Sequence, residues 1–160
     1  MLFRSIFPSN ANAPRSRAAA KPQIQEDKGL EVQVLFTGIA ALRTALAYAT
    51  VYARSLDAHF TVIATHVVPY PLPLSRPSSS SAKVLEQRLA AVAAEQRIDT
   101  SVQIYICRDP QQTIREVLQP EAATVVAGRK RWWWPTREQR LASRLRRDGH
   151  NVIFMDTKPA

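Results

Sequence analysis

Arg129-Lys130-Arg131 and Trp132-Trp133-Trp134 stand side by side, followed by Pro135-Thr136, and this stretch holds all three tryptophans of a 160-residue chain. Cationic side chains at that spacing can meet phosphate through charge-assisted hydrogen bonds, while indole rings can stack on a base or sit at a membrane interface. The stretch follows the apolar run Thr124-Val125-Val126-Ala127 and then Gly128. An apolar run that ends in glycine and leads into a capped helix is the usual place for a bound phosphate in an α/β protein. Between Arg129 and Arg147 eight cations (Arg129, Lys130, Arg131, Arg137, Arg140, Arg144, Arg146 and Arg147) stand against one acid, Glu138, in a chain of formal net charge +9. Such a patch attracts phosphates, nucleic acid or anionic lipid head groups, although a solvated basic helix face gives the same count.

The remaining side chains offer less chemistry. His59, His66 and His150 fall at strand starts or ends without metal-ligand spacing, so structural roles are expected and no metal. Cys107 is the only cysteine. It lies in an apolar strand, where a buried, inert thiol is expected rather than a nucleophile. A single cysteine also excludes an internal disulfide and a Cys-based zinc cluster, and it suits a reducing compartment. No catalytic pairing is visible, so no catalytic residue is assigned. No apolar run approaches the roughly 20 residues that span a bilayer, and Arg4 and Pro8 interrupt the N-terminus before a signal-peptide core could form. A cytoplasmic protein is the expectation. Arg140, Arg144 and Arg147 recur at helical spacing and could hold an acidic protein or nucleic acid, but no nucleic-acid-binding motif accompanies them.

The elements that must position these residues alternate between strand and helix. Residues 1–28 lack apolar periodicity and read as a disordered basic arm, residues 29–157 as one α/β domain, and 158–160 as a tail. Leu30 to Phe36 reads as a strand that Thr37-Gly38 ends. A helix follows from Ile39 to Leu56, with Leu42, Ala45, Leu46 and Ala49 on one face. His59 to Val68 is β-branched and nearly uncharged, as suits a buried central strand. A Pro- and Ser-rich loop runs to Ser81, then a helix from Ala82 to Arg97 and a strand from Ser101 to Cys107. Asp109-Pro110 opens a short helix, Ala122 to Ala127 is a strand, Thr136 to Gln139 is a capping box that opens the basic helix, and Asn151 to Met155 closes the domain. The four glycines, Gly29, Gly38, Gly128 and Gly149, fall at junctions, where positive φ is cheapest for them. This order predicts a five-stranded parallel sheet with helices on both faces, and ligands at the carboxyl ends of its strands.

The chain resembles the universal stress protein (UspA-like) family over about residues 30 to 156. The resemblance is carried by Val34-Leu35-Phe36-Thr37-Gly38 with the Ala-rich helix after it, Thr65-His66-Val67-Val68-Pro69, Arg108-Asp109-Pro110, and Val125-Val126-Ala127-Gly128. It implies the Rossmann-like adenine nucleotide α-hydrolase-like fold with strand order 3-2-1-4-5. It also implies dimers paired through the last strand, here Val152, Ile153 and Phe154. ATP-binding members carry an Asp at the end of the first strand, where this chain has Thr37. They also carry G-x-x-G, nine residues, and then Gly before Ser or Thr. Gly128 matches the first glycine, Arg131 stands at the second, and the later pair falls near Leu141-Ala142.

A non-enzymatic, dimeric, stress-response protein that works by interaction and does not hold ATP in the family manner is the resulting expectation, with no cofactor. The alternative is a nucleotide or phosphate-ligand binder in which Arg129, Arg131 and the helix start at Thr136 hold phosphates, while Thr37, Gly38 and His66 line the rest of the site. A second alternative is a basic surface for nucleic acid or anionic membrane, and the expected interaction surface comprises Trp132, Trp133, Trp134, Arg140 and Arg144. The tryptophans themselves have two readings: packed into the volume a nucleotide would fill or buried at a subunit contact, which is the favoured expectation, or exposed as an interaction surface.

Overall fold

The computed structural model describes residues 3–5, 30–53, 58–71, 74, 79–98 and 100–157. The elements are β1 (Phe3–Ser5), β2 (Glu31–Leu35), α1 (Ile39–Ala53), β3 (His59–Val67), α2 (Ser79–Glu95), β4 (Thr100–Cys107), α3 (Pro110–Val117), β5 (Ala123–Gly128), α4 (Arg137–Arg147) and β6 (Asn151–Asp156). They build one sheet in the order β1-β4-β3-β2-β5-β6. Strands β2 to β6 run parallel, and counted from β2 their order is 3-2-1-4-5, as expected. Parallel neighbours need a crossover, and a helix lies between each successive pair of them.

One strand was not foreseen. β1 lies antiparallel to β4, with Phe3 opposite Ile106 and Ser5 opposite Ile104. The stretch 1–28, expected to lack structure, thus contributes a strand at Phe3–Ser5. Three residues carry no readable alternation, and their backbone pairs with the outer edge of β4 that the parallel strands leave open. The rest of that arm, residues 1–2 and 6–29, lies outside the described residues, as does the tail 158–160.

The sheet is covered on both faces. On one, α1 and α2 bring Leu42, Ala45, Leu46, Ala49, Leu89 and Val92 against Val34, Val62, Ala64 and Val125. On the other, α3 and α4 bring Ile114, Leu118, Ala142 and Leu145 against Leu35, Ile63, Val126 and Val152. Strands β2, β3 and β5 are buried on both sides, which explains their near-continuous apolar reading.

Helix boundaries follow local chemistry. α2 begins at Ser79, three residues before the expected Ala82, because serine is favoured at helix N-termini and a serine run reads equally well as a loop. Beyond its end, Arg97 takes the left-handed conformation, φ 54°. Asp109 caps α3 as expected, accepting from Gln111 N at 2.9 Å and Gln112 N at 3.2 Å. The Thr136 and Gln139 capping box opens α4. At its other end Arg115 of α3 pairs with Asp148 at 2.9 Å.

Two glycines are required, for different reasons. Gly149 turns the chain out of α4 with φ 91°. Gly128 and Gly38 need no positive φ, contrary to the expectation for all four glycines, and Gly29 lies outside the described residues. What Gly128 provides is room. A Cβ at this position would lie 2.6 Å from Glu138 Cβ and 2.7 Å from Glu138 Cγ, so α4 docks on the end of β5 only where residue 128 has no side chain. Gly128→Ala is therefore expected to destabilise the domain by about 1–3 kcal/mol, the usual cost of overpacking, read as a lower urea midpoint. An unchanged midpoint would show that α4 can shift freely.

Candidate functional site

The expected ligand position is the carboxyl end of the sheet between β2 and β5, where β2 has β3 on one side and β5 on the other. Thr37 and Gly38 leave β2 there, and Gly128 to Thr136 leave β5. The structure does bring these segments together: Thr37 Oγ1 donates to Ala127 O at 2.6 Å, joining the two strand ends. Gly38 sits one residue before α1, its carbonyl accepting from Leu42 N at 2.8 Å, with open space where a Cβ would point. His66 is the penultimate residue of β3, and its Nε2 lies 3.3 Å from Ser81 Oγ, a contact with α2.

The loop from Arg129 to Thr136 is closed on itself. Lys130 N donates to Asp156 Oδ1 at 3.0 Å. Arg131 N and Thr136 N both donate to Gln139 Oε1, at 3.1 and 2.9 Å, while Gln139 Nε2 donates to Arg131 O at 3.4 Å. Thr136 Oγ1 donates to Arg129 O at 3.1 Å and accepts from Gln139 N at 3.3 Å. One carboxamide on the first turn of α4 thus grips both ends of the segment 131–136, and the Asp156 carboxylate occupies a third amide. The sequence revealed Gln139 as half of a capping box. Its second task, holding Arg131, and the role of Asp156 left no local signal, since their partners lie 8 and 26 residues away.

The tryptophans point outward. Trp132 is 90 % exposed, Trp133 85 % and Trp134 75 %, which overturns the expectation that they fill a vacated pocket in their own domain. The physical reason is the loop closure: Gln139 draws 131 and 136 together, so the residues between them are carried away from the core. The Trp132 and Trp133 rings stand 6.4 Å apart with planes at 42°. Arg129, Lys130, Arg131 and Arg137 are exposed beside them.

The basic helix is less available than its sequence indicates. Arg140 is exposed, but Arg144 Nη1 donates to Gln111 Oε1 on α3, and Arg146 Nε donates to Val152 O at 3.1 Å. Arg140 and Arg144 are both exposed, and Arg144 also makes this contact with α3. On β6, which pairs only with β5 at the sheet edge, Val152 is buried and Phe154 packs against α4's side of the core. Of the three expected dimer residues, only Ile153 presents its side chain, 39 % exposed.

Two clefts lie away from this rim. One, of about 300 Å³, opens toward the amino ends of the strands and includes Glu31, Gln33, Thr61, Gln103 and Glu116 in its walls. Its polar groups largely satisfy one another: Gln33 Oε1 accepts from Gln119 N at 3.1 Å, and Tyr105 OH donates to Gln103 Oε1 at 2.7 Å. The other, of about 330 Å³, lies between Tyr70 and the start of α3, with Cys107, Arg108 and Asp109 in its wall. Arg108 lies over the Tyr70 ring, 3.5 Å from its centroid. Asp109 is already committed to capping α3. Among the described residues, no three His, Cys, Asp or Glu side chains converge as a metal set, and no helix is long and apolar enough to cross a membrane.

No protein-family model matches the chain, and no curated protein matches it by sequence. Solved structures do. A universal stress protein from Archaeoglobus fulgidus superposes with TM-score 0.58 at 15 % identity, over 79 % of this chain and 93 % of that one. The chain has the universal stress protein fold. A universal stress protein from the same organism in complex with dAMP gives TM-score 0.52 at 15 % identity, over 79 % and 98 % of the two chains. A universal stress protein in complex with cAMP gives 0.53 at 17 % identity, over 81 % and 98 %. On this universal stress protein fold, Gly128 abuts Glu138, and the amides of Lys130, Arg131 and Thr136 after it are taken by Asp156 and Gln139.

Cys107 is 3 % exposed at the end of β4. Burial pushes its thiol above the ordinary value of 9.0, outweighing the hydrogen bond with Thr113 that lowers it, and the Asp109 carboxylate adds a smaller push upward. A raised value means less thiolate at neutral pH, so disulfide-reagent labelling of the folded protein at pH 7.5 should run at least about tenfold slower than in urea. Equal rates would place the thiol in open contact with solvent.

Proposed function

We propose that this chain is a non-enzymatic interaction module on the universal stress protein fold, acting in a cytoplasmic stress response, which does not hold ATP in the manner of the ATP-binding members. The observation that supports this is the occupation of Lys130 N, Arg131 N and Thr136 N by Asp156 and Gln139. A phosphate docking on this loop needs those amides free. It would also have to approach the Asp156 carboxylate, whose charge repels it. Thr37, in place of a carboxylate, donates its hydroxyl to Ala127 O.

The second reading is a nucleotide or phosphate ligand held by Arg129, Arg131 and the helix start at Thr136. Exposed guanidinium groups beside the rim favour it, as do neighbours described in complex with dAMP and cAMP. Isothermal titration with ATP, ADP and AMP decides between them. The first reading expects no saturable heat in the micromolar range. Micromolar affinity that disappears in the double variant R129A/R131A would establish the second.

Dimerisation through β6 belongs to the same proposal. β6 ends the sheet with its outer backbone edge unpaired among the described residues, and Ile153 is exposed on it, so two copies can join edge to edge. In sedimentation velocity the wild type is expected as a dimer and Ile153→Asp as a monomer. A monomeric wild type would remove this part of the proposal.

A further inference from the structure

We propose that the carboxyl-end rim is a peripheral contact for an anionic membrane, in which Trp132, Trp133 and Trp134 enter the headgroup region while Arg129, Lys130, Arg131 and Arg137 meet lipid phosphates. This rests on the reading that the loop works outward rather than closing on a nucleotide.

The placement of exposed apolar groups is the first argument. Nine large hydrophobic residues are exposed among the described residues, and five of them, Val67, Tyr70 and the three tryptophans, lie at or just beyond the carboxyl ends of β3 and β5. Because these strands are parallel, all five are at one end of the sheet. Large exposed apolar groups concentrated at one end of a sheet point to a contact surface there, and tryptophan, with its apolar body and one N–H, is the residue most suited to the layer between water and hydrocarbon.

Charge is the second. No hydrogen bond or ion pair among the described residues engages the side chains of Arg129, Lys130, Arg131 or Arg137. The acids nearby are turned to internal tasks: Asp156 accepts from Lys130 N, Asp109 caps α3, and Glu138 is half-buried against Gly128. The rim thus combines exposed indoles with four exposed cations that outnumber the carboxylates of Asp156, Asp109 and Glu138, a net positive balance that anionic head groups attract. Since no described helix can span a bilayer, the contact is at the surface.

Shape separates a membrane from single-stranded nucleic acid. A strand of nucleic acid asks for a groove with ring faces in succession. Here the Trp132 and Trp133 planes are tilted by 42° and the three rings project at 75–90 % exposure. A projecting, splayed cluster suits a soft surface that it can enter.

The test is co-sedimentation of the full chain with vesicles of phosphatidylcholine containing about 30 % phosphatidylserine, against phosphatidylcholine alone, with tryptophan emission recorded. Binding to the anionic vesicles, weakened as salt rises from about 0.05 to 0.5 M, with a blue shift of emission, is expected. The variant W132A/W133A/W134A should lose about 100-fold in partitioning, and R129A/K130A/R131A about tenfold or more. No binding, or binding that the triple tryptophan variant retains, overturns the proposal. So does retention of a single-stranded oligonucleotide at lower concentration than the vesicles need, with no blue shift on lipid. ATP titrated into the same samples keeps the two claims apart. A saturable heat with sedimentation intact overturns only the reading of the loop as closed to nucleotide, whereas no sedimentation and no heat overturn only the membrane contact.

Discussion

The Gln139 carboxamide decides the shape of the rim. Its oxygen accepts from Arg131 N and Thr136 N, and its nitrogen donates to Arg131 O, so a single side chain fixes both ends of a six-residue turn. Because it stands on the first turn of α4, that grip also ties the loop to a helix, which itself docks on β5 only because Gly128 lacks a side chain. Everything distinctive about the loop follows from this coupling. The amides turn inward to Gln139 and Asp156, and the tryptophans between 131 and 136 turn away from the core.

Around this clamp the charged residues divide by task. Arg115, Arg144 and Arg146 join α3, α4 and β6 through Asp148, Gln111 and the Val152 carbonyl. Exposed pairs such as Arg43 with Glu95 contribute little to stability, typically about 0–1 kcal/mol, and the core carries the fold. The cations between 129 and 137 make no such internal contacts and remain on the solvent side. Of the cations between 129 and 147, Arg144 and Arg146 thus reach neighbouring elements, while Arg129, Lys130, Arg131 and Arg137 stand exposed around the loop.

Much of the architecture was legible in sequence because its signals are local or periodic. The buried strands, the Asp109 cap and the capping box at Thr136 rest on spacing within a few residues, whereas the strand order follows from the resemblance to the universal stress protein family. The candidate site was legible only in its location. Exposure of the tryptophans was not readable, since aromatic bulk ordinarily argues for burial and their direction is set by a side chain at position 139. Gly128 was visible as a loop glycine, but its reason, the Glu138 methylenes, is a contact between elements. β1 is too short for any pattern, and the contact of the exposed Arg144 with Gln111 of α3 joins residues 33 apart in sequence.

The Thr37 bond to the Ala127 carbonyl has a consequence for any attempt to rebuild this rim. It seams β2 to β5 at the point where the sheet divides, independently of the Gln139 and Asp156 contacts. The closure is therefore redundant: removing Gln139 alone leaves the seam and the carboxylate, and placing glycine at 131 leaves all three. A design that sought to fit a phosphate here would have to change several residues together, with little gain from each step taken singly.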